Sequence, residues 1–273
     1  ILAKGWNIPN VYIKDADKLF KEHNTYWVNL EANLTSYDLK RSTKSSDVDN
    51  FCKENPGKCP TAREAPANLS VKKVAALREM RKKDSIIYGS KSTNLGEMLN
   101  AKIPGIVVPD GFTIPFYWYD KFMKDNNLQE IVENQEDDLD FVHNPRYRKE
   151  KLDQLRAKIM AGKFDEDLKA EIIKKWKTQL GGKPVFARSS SNSEDLPDFS
   201  GAGLYDSAAN LINEEQLING VKKTWASLWN FRAYEARVRN YVDQRTVHMS
   251  TLIQAGVNME RGGVMFTLDP FDR

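Results

Sequence analysis

The spacing of apolar and polar residues predicts alternating helices and short strands in the middle of the chain. Apolar residues recur at helical spacing over Leu95–Leu99, after a glycine turn, and a second helix is expected from Phe116. Between them, the apolar stretch Phe112–Ile114 predicts a strand. Residues 130–145 are acidic and show neither period, so we expect an irregular segment there.

Similar patterns continue toward the C-terminal end. Two helix patterns lie within residues 146–180, and a strand is expected over Pro184–Arg188. Asn213 and Gln216 have the spacing of a helix N-cap, and we expect the longest helix of the chain to begin there. Residues 247–269 predict two further strands joined by a short connection.

The first 83 residues show weaker periodicity. Residues 15–23 predict a short helix and residues 26–32 a strand. Residues 41–70 are rich in Ser, Lys, Asp and Pro and resemble a linker in composition. Residues 71–83 are basic and predict a short helix or a solvated connector.

Composition and charge narrow the class of protein. The chain has 273 residues, 40% apolar and 29% charged, with a net charge of +3, as is ordinary for one or two soluble domains. Nothing in it indicates binding to nucleic acid or membrane, and no apolar run approaches the ~20 residues of a membrane span. The chain starts at Ile1 without a Met or a signal-peptide pattern. We therefore expect a fragment or processed chain of a cytoplasmic protein.

The cysteines and histidines offer no clear metal site. Cys52 and Cys59 flank a Pro-Gly turn and form either a disulfide or two reduced thiols. A metal ion needs more ligands than these two residues supply. His23, His143 and His248 lie in no recognisable catalytic context and are interpreted as ordinary surface or core residues.

The most unusual stretch is the polar ribbon, Phe186–Ser207, which follows directly on an apolar strand pattern. Arg188 stands near its start and offers a fork of donors suited to phosphate oxygens. Serines, an asparagine and acidic residues follow, and Gly201 and Gly203 remove Cβ atoms where an anion would approach. This composition indicates a phosphate lid, although a mobile surface loop without a ligand has the same composition.

Lys91 is a second candidate for phosphate binding. It follows Gly89 at the start of a predicted helix, and helix N-termini bind anions. The stretch is not the P-loop, which requires GxxxxGK[ST]. On its own an exposed helix lysine is the commoner interpretation.

Taken together, these pieces resemble the nucleotide-binding domain of the dikinases that use or make phosphoenolpyruvate. That family includes pyruvate phosphate dikinase, phosphoenolpyruvate synthase, rifampin phosphotransferase and, more distantly, the glucan water dikinases. The resemblance covers residues 86–273 and is carried by motifs in the family's order: GSKSTNLGEML with IPGIVVPDGFTI, FARSSSNSEDLPDFSGAG, KKTWASLWNFRAYEAR, and LIQAGVN with GGVMFTLDP.

The resemblance implies an α+β fold of the ATP-grasp type, of which this chain holds the first part, and a set of ATP-binding residues. Lys91 is expected to contact the ATP phosphates and Arg188 to stabilise the phosphoryl groups during transfer. Gly203 and Ser207 are expected in the loop over the phosphates, and Gln254 at the adenine side of the cleft.

Two acidic residues and the metal complete this expectation. Glu194 and Asp195 receive no catalytic role and are interpreted as residues that shape the loop. The family uses Mg²⁺ held by acidic residues of the second subdomain, so its ligands are expected outside this chain.

The N-terminal residues resemble the end of the swivelling phosphohistidine domain of the same dikinases. Ile1–Pro9 matches the part after the carrier histidine, which is therefore expected before residue 1. The implied domains are residues 1–45 from the swivelling domain, residues 46–70 as linker and residues 71–273 as the N-terminal part of the nucleotide-binding domain.

The implied activity is transfer of the β-phosphoryl group of ATP through a phosphohistidine to an acceptor such as pyruvate, with release of AMP and phosphate. The domain order is similar to that of the glucan water dikinases, whereas the EDLPDFSGAG loop is closer to the synthase type, so a glucan or an antibiotic is a second candidate acceptor. Two further hypotheses are a degenerate ATP-grasp module without catalysis and a ligase with ATP-grasp chemistry. The isolated chain is not expected to complete a catalytic cycle.

Overall fold

The computed structural model describes residues 13–23, 28–32, 36–41, 62–194, 196, 199, 201 and 203–263. The chain divides into two compact units. The described residues within Pro60–Leu139 and Glu150–Val257 form the larger unit, and those within Ile1–Cys59, Asp140–Lys149 and Asn258–Arg273 form the smaller one.

The smaller unit contains a two-stranded antiparallel sheet. Helix α1 (Ala16–Leu19) and a 3₁₀ turn (Lys21–His23) precede strands β1 (Val28–Ala32) and β2 (Tyr37–Arg41). Val28 pairs with Arg41 and Ala32 with Tyr37. The short helix and the strand predicted within residues 15–32 are thus confirmed.

The larger unit combines helices with one antiparallel sheet whose strands differ in length. Its strands are β3 (Ala75–Ala76), β4 (Gly111–Ile114), β5 (Val185–Ser191), β6 (Ala208–Leu211) and β7 (Met249–Ala255). The helices along the rest of the chain, two of which extend into residues 140–149, are α2 (Ser85–Tyr88), α3 (Ser90–Ala101), α4 (Phe116–Asp125), α5 (Gln129–Asp137), α6 (Leu139–His143), α7 (Pro145–Ala161), α8 (Glu166–Gln179), α9 (Glu214–Ser227) and α10 (Phe231–Arg239). The mixed helix and sheet composition agrees with the expected α+β class.

The five strands lie in the order β3-β4-β7-β5-β6, and every pairing is antiparallel. In the central pair, Phe186 lies opposite Gln254 and Arg188 opposite Leu252. Because side chains alternate along a strand, Arg188 and Gln254 point to the same face of the sheet. We call this side, which carries the side chains of Arg188, Ser190 and Gln254, the site face.

The opposite face of the sheet is covered by helix α9. Its apolar residues Leu217, Val221 and Trp225 recur every four positions and are at most 1% exposed. The helix begins as predicted, since the side chain of Asn213 accepts a hydrogen bond from the backbone of Gln216 at 2.9 Å. Trp225 stacks on Phe164 with ring centroids 5.4 Å apart. This apolar layer holds the sheet rigid behind the site face.

Three predicted elements require correction. Residues 71–83 form β3 and two short 3₁₀ turns, Leu77–Glu79 and Lys82–Asp84, because their apolar residues are buried by the sheet edge instead of lining a helix. Residues 130–145, predicted to be irregular, are largely helical in α5 and α6, with Val132 and Phe141 buried. The 17-residue α7 is longer than the 14-residue α9, which was predicted to be the longest.

The end of the predicted linker packs onto the larger unit. The backbone N–H of Ala65 donates to the Thr246 hydroxyl at 2.9 Å, and the backbone of Arg63 forms an isolated parallel β-bridge with that of Val242. Residues 42–61, which include both cysteines, and the last predicted strand, within residues 264–273, lie outside the described residues. The boundaries at residues 45 and 70 therefore stay predictions.

Membrane insertion is a separate point. Within the part of the chain that the structure describes, none of the helices combines the length and apolar character needed to cross a bilayer.

Candidate functional site

The guanidinium of Arg188 is held on the site face by its neighbour on β7. Its Nη1 donates to Oε1 of Gln254 at 2.8 Å, and Nε2 of Gln254 donates in turn to the carbonyl oxygen of Pro109 at 3.0 Å. The amide of Gln254 is thereby fixed in orientation, and Gln254 is only 6% exposed. Arg188, itself half-buried, keeps further N–H groups for a ligand on this face.

Lys91 reaches the same strand from the first turn of α3. This helix begins at Gly89, whose φ is +76°, and a Cβ built on Gly89 would lie 2.3 Å from Oγ of Ser190. Only glycine permits so close an approach of the helix start to β5. The contact is completed by the backbone N–H of Ser92, which donates to Oγ of Ser190 at 3.3 Å.

The ammonium of Lys91 has two partners in the structure. It donates to the carbonyl oxygen of Ser189 at 2.6 Å and lies 3.0 Å from Oε1 of Glu194. The side chains of Lys91 and Glu194 are 27% and 11% exposed. Since Ser189 follows Arg188 directly, both predicted phosphate-binding cations meet at one segment of β5.

The polar ribbon is anchored at its two ends. Near its start, the hydroxyls of Ser191 and Ser193 are hydrogen-bonded at 2.9 Å, and that of Ser193 is hydrogen-bonded to the Tyr205 hydroxyl at 2.9 Å. At its far end, Arg232 donates to the carbonyl of Leu204 at 3.1 Å. The same Arg232 pairs with Asp206 at 2.7 Å. The described ends of the ribbon are thereby tied to each other through Ser193 and Tyr205, and to α10 through Arg232.

The glycines of the ribbon have different functions. A Cβ on Gly201 would lie 2.9 Å from Cα of Glu194, so this glycine makes room for the backbone of the ribbon itself. The sequence instead predicts that it makes room for an anion. Gly203 is exposed and has a φ of +76°, which favours glycine.

Arg188 contacts Gln254 directly, and Lys91 contacts the backbone of Ser189, the residue after Arg188. Gly203 and Ser207 lie farther along the ribbon, are exposed, and have no side-chain partner among the contacts of the described residues. Asp195 lies outside the described residues. The roles expected toward ATP for Lys91, Arg188, Gln254, Gly203 and Ser207 stay predictions.

The chemistry of the site is that of an anion-binding surface. An ammonium and a guanidinium carry only N–H donors, and the carbonyl and carboxylate beside Lys91 orient its ammonium. No group of three or more His, Cys, Asp or Glu residues within the described ranges is arranged to hold a metal ion. These residues fit a polyphosphate better than they fit a metal ion.

His248 lies behind the site and stabilises the fold. Its Nδ1 is 2.9 Å from the carbonyl oxygen of Thr246, and its Nε2 is 3.8 Å from Oδ1 of Asp120. Burial on its own would raise the pKa of Asp120, but the nearby His248 and the hydrogen bond from Lys124 hold that pKa below its ordinary value. His248 thus connects β7 to α4.

The contact of Glu194 with Lys91 is the part of this cluster that the sequence did not reveal. This contact joins residues 103 positions apart, since 194 − 91 = 103. No short motif links them, and an acidic residue in a polar stretch is usually solvated. From the sequence, Glu194 is interpreted only as a residue that shapes the loop, and the opposite charges of Glu194 and Lys91 are the one signal that could have linked them.

Comparison with known proteins supports a nucleotide-binding role. The family described as the pyruvate phosphate dikinase AMP/ATP-binding domain matches residues 85–273. A probable phosphoenolpyruvate synthase of Methanothermobacter thermautotrophicus is 35% identical over 211 residues, which are 76% of this chain and 30% of that protein. A rifampicin phosphotransferase of Bacillus cereus is 34% identical over 198 residues, which are 72% of this chain and 22% of that protein.

A second archaeal relative, a probable phosphoenolpyruvate synthase of Staphylothermus marinus, is 34% identical over 201 residues, 71% of this chain and 24% of that protein. The chain thus spans less than a third of the length of these relatives. The matched region contains α3, β5 and β7, the elements that supply Lys91, Arg188 and Gln254. The chain therefore belongs to the pyruvate phosphate dikinase AMP/ATP-binding domain family.

Proposed function

We propose that this chain is the ATP-binding portion of a dikinase-type phosphotransferase. The complete enzyme moves the β-phosphoryl group of ATP to a histidine on a swivelling domain, releases AMP and phosphate, and passes the phosphoryl group to an acceptor such as pyruvate. The larger unit is then the first part of an ATP-grasp fold. The family match and the names of the relatives support this proposal, and a cytoplasmic location is part of it.

One observation carries the proposal: Lys91 and Arg188, nearly a hundred positions apart, meet at one segment of β5. Phosphoryl transfer depends on positioning and charge neutralisation more than on covalent chemistry by the protein. Lys91 would hold a phosphate oxygen, and Arg188 would neutralise the charge of the group in transfer. Mg²⁺, bound with the nucleotide by acidic residues outside this chain, would supply further charge neutralisation.

The other predicted residues complete the site in this proposal. The ribbon around Gly203 and Ser207 lies over the phosphates, with backbone N–H groups and hydroxyls as donors. Gln254 has its Oε1 toward Arg188 and lies on the site face next to Phe186. It would orient Arg188 while its strand continues toward the adenine.

The test follows the β-phosphorus. The complete enzyme is incubated with Mg-ATP labelled at the β-phosphorus, and labelled histidine and AMP are measured by mass spectrometry and chromatography. Arg188→Ala is expected to reduce labelling of histidine by at least about a hundredfold, the loss typical of a charge-stabilising donor. The matched control is Arg245→Ala, which removes an exposed arginine paired with Asp243.

Each competing hypothesis gives a different result. Wild-type labelling in Arg188→Ala contradicts the function assigned to Arg188. Binding of ATP without transfer indicates a degenerate module, and release of ADP with an acyl phosphate indicates a ligase. The similarity to rifampicin phosphotransferases favours an antibiotic as a second candidate acceptor. Incubation of the labelled enzyme with pyruvate, a glucan or a rifamycin identifies the acceptor by which of them takes up the label.

A further inference from the structure

Glu194 is placed to act on Lys91 and not only on the ribbon. Its Oε1 lies 3.0 Å from the Lys91 ammonium, and its side chain is 11% exposed. At this depth the ion pair is screened less by water than the exposed ion pairs elsewhere in the chain. A carboxylate is therefore part of the phosphate site in the absence of nucleotide.

The backbone of Glu194 is fixed from several directions. Its carbonyl accepts from the N–H of Gly201 at 2.8 Å, which closes the base of the ribbon. Its own N–H donates to the carbonyl of Ser191 at 3.4 Å. A Cβ at residue 201 would lie 2.9 Å from Cα of Glu194, so the backbone at residue 201 lies close to the backbone at residue 194. The carboxylate therefore starts from a fixed point beside β5.

The ammonium of Lys91 has three N–H donors on a tetrahedral nitrogen. One of them donates to the carbonyl of Ser189, and the carboxylate of Glu194 attracts the ammonium as an ion pair at 3.0 Å. Together these two contacts fix the place of the ammonium beside β5. We propose that Glu194 is a positioning residue for phosphoryl transfer, which holds the ammonium of Lys91 where its remaining donors can reach a phosphate oxygen. This inference rests on the proposed function.

The charge of Glu194 and its geometry have opposite effects on the phosphate site. The carboxylate cancels the charge of Lys91 and repels the triphosphate, so Glu194 weakens the attraction of the site for ATP. Glu194 also fixes the flexible side chain of Lys91 in one orientation before the nucleotide binds. Removal of Glu194 should therefore leave ATP binding intact or tighter and still slow the transfer step.

The experiment measures kcat and the KM for ATP in the complete enzyme, together with the Kd for ATP of the 273-residue chain. Glu194→Ala removes the carboxylate, and Glu194→Gln keeps an acceptor of the same shape without the charge. We expect kcat to fall about tenfold or more in Glu194→Ala and less in Glu194→Gln. We expect KM and Kd to be no higher than in the wild type. The matched control is Glu214→Gln, which removes a surface carboxylate paired with Lys177.

Two results would overturn the inference while the proposed function stands. An unchanged or raised kcat would mean that ATP displaces Glu194 from Lys91. A fall in kcat with an equal rise in KM and a lower melting temperature, also in Glu194→Gln, would mean that Glu194 only maintains the fold. A wild-type enzyme that does not transfer the β-phosphoryl group would instead contradict the proposed function itself.

Discussion

Gly89 positions Lys91 by having no side chain. A Cβ at this position would lie 2.3 Å from Oγ and 2.5 Å from the carbonyl oxygen of Ser190, and φ is +76°. We expect Gly89→Ala to lower the free energy of unfolding by roughly 2–4 kcal/mol, from overpacking against β5 together with backbone strain. Because the first turn of α3 must move away from β5, the affinity for ATP should fall in the same variant. Denaturant unfolding and calorimetric titration with ATP measure the two effects.

Gly105 provides the matched control. It also has a positive φ, of +79°, but nothing lies within 4 Å of a Cβ built there. Gly105→Ala should therefore cost only the backbone strain, roughly 1 kcal/mol, without a change in ATP affinity. Equal losses of stability in the two variants would show that the contact with Ser190 contributes nothing.

Single residues with distinctive chemistry were the easiest to select as candidates from the sequence. Lys91 and Arg188 each stand next to glycine or hydroxyl residues, and such neighbours indicate phosphate binding without knowledge of the fold. The ion pair with Glu194 depends on how α3 packs beside the end of β5, and the hydrogen bond to Gln254 depends on which strands are adjacent. Adjacency of β5 and β7 is a tertiary fact that no local pattern contains.

Among the helices, α8 has a cap whose effect depends on pH. The carboxylate of Asp165 accepts from the backbone N–H of Leu168 at 2.9 Å and lies 3.3 Å from the Lys121 ammonium. The hydrogen bond from Leu168 in the first place, and then Lys121, lower the pKa of Asp165. A carboxyl with a lowered pKa in the folded state stabilises the protein above its unfolded pKa, and this stabilisation is lost as pH falls through the folded value.

We therefore expect Asp165→Ala to lower the free energy of unfolding by about 1 kcal/mol at neutral pH, through loss of the cap. Asp165→Asn keeps an acceptor for Leu168 and should lose less, because only the charge is removed. The differences from wild type should shrink below about pH 4, where Asp165 takes up its proton. Denaturant unfolding between about pH 7 and pH 2.5 measures this dependence. A constant difference across that range would contradict the electrostatic contribution.

Helices α4 and α9 were predicted well because burial of their apolar residues on one face selects the helical period. Helix α3 and strand β4 also form where predicted, although α3 buries Ser92, Thr93 and Gly96 while Met98 is exposed, and β4 is buried along its whole length. The prediction was wrong over residues 71–83, where a helix-like pattern is overridden by pairing of Ala75 and Ala76 with β4. It was also wrong over residues 130–145, where the many acidic residues obscure the apolar pattern of Val132 and Phe141, which are buried in the structure.

At the scale of the whole molecule, the chain contains the phosphate site that we propose but spans less than a third of the length of its relatives. In the proposal, Lys91 and Arg188 are the two cations for a triphosphate, and the described residues contain no cluster of His, Cys, Asp or Glu suited to a metal ion. Binding and turnover should therefore separate. Binding needs the positive groups on the site face, whereas transfer also needs a carrier histidine and bound Mg²⁺.

We expect the 273-residue chain, produced as it stands, to bind ATP and to release no AMP from it. Binding should weaken at high salt and in Lys91→Ala, because the attraction is between exposed or half-buried charges and a polyanion. Lys102→Ala, a change of a lysine just beyond the end of α3, should bind as the wild type does. Calorimetric titration measures binding, and chromatography of the nucleotides after long incubation measures AMP. Clear turnover to AMP by the chain alone would show that the carrier and metal sites lie within these residues after all. Binding that is unchanged in Lys91→Ala would mean that the ammonium of Lys91 does not contact ATP.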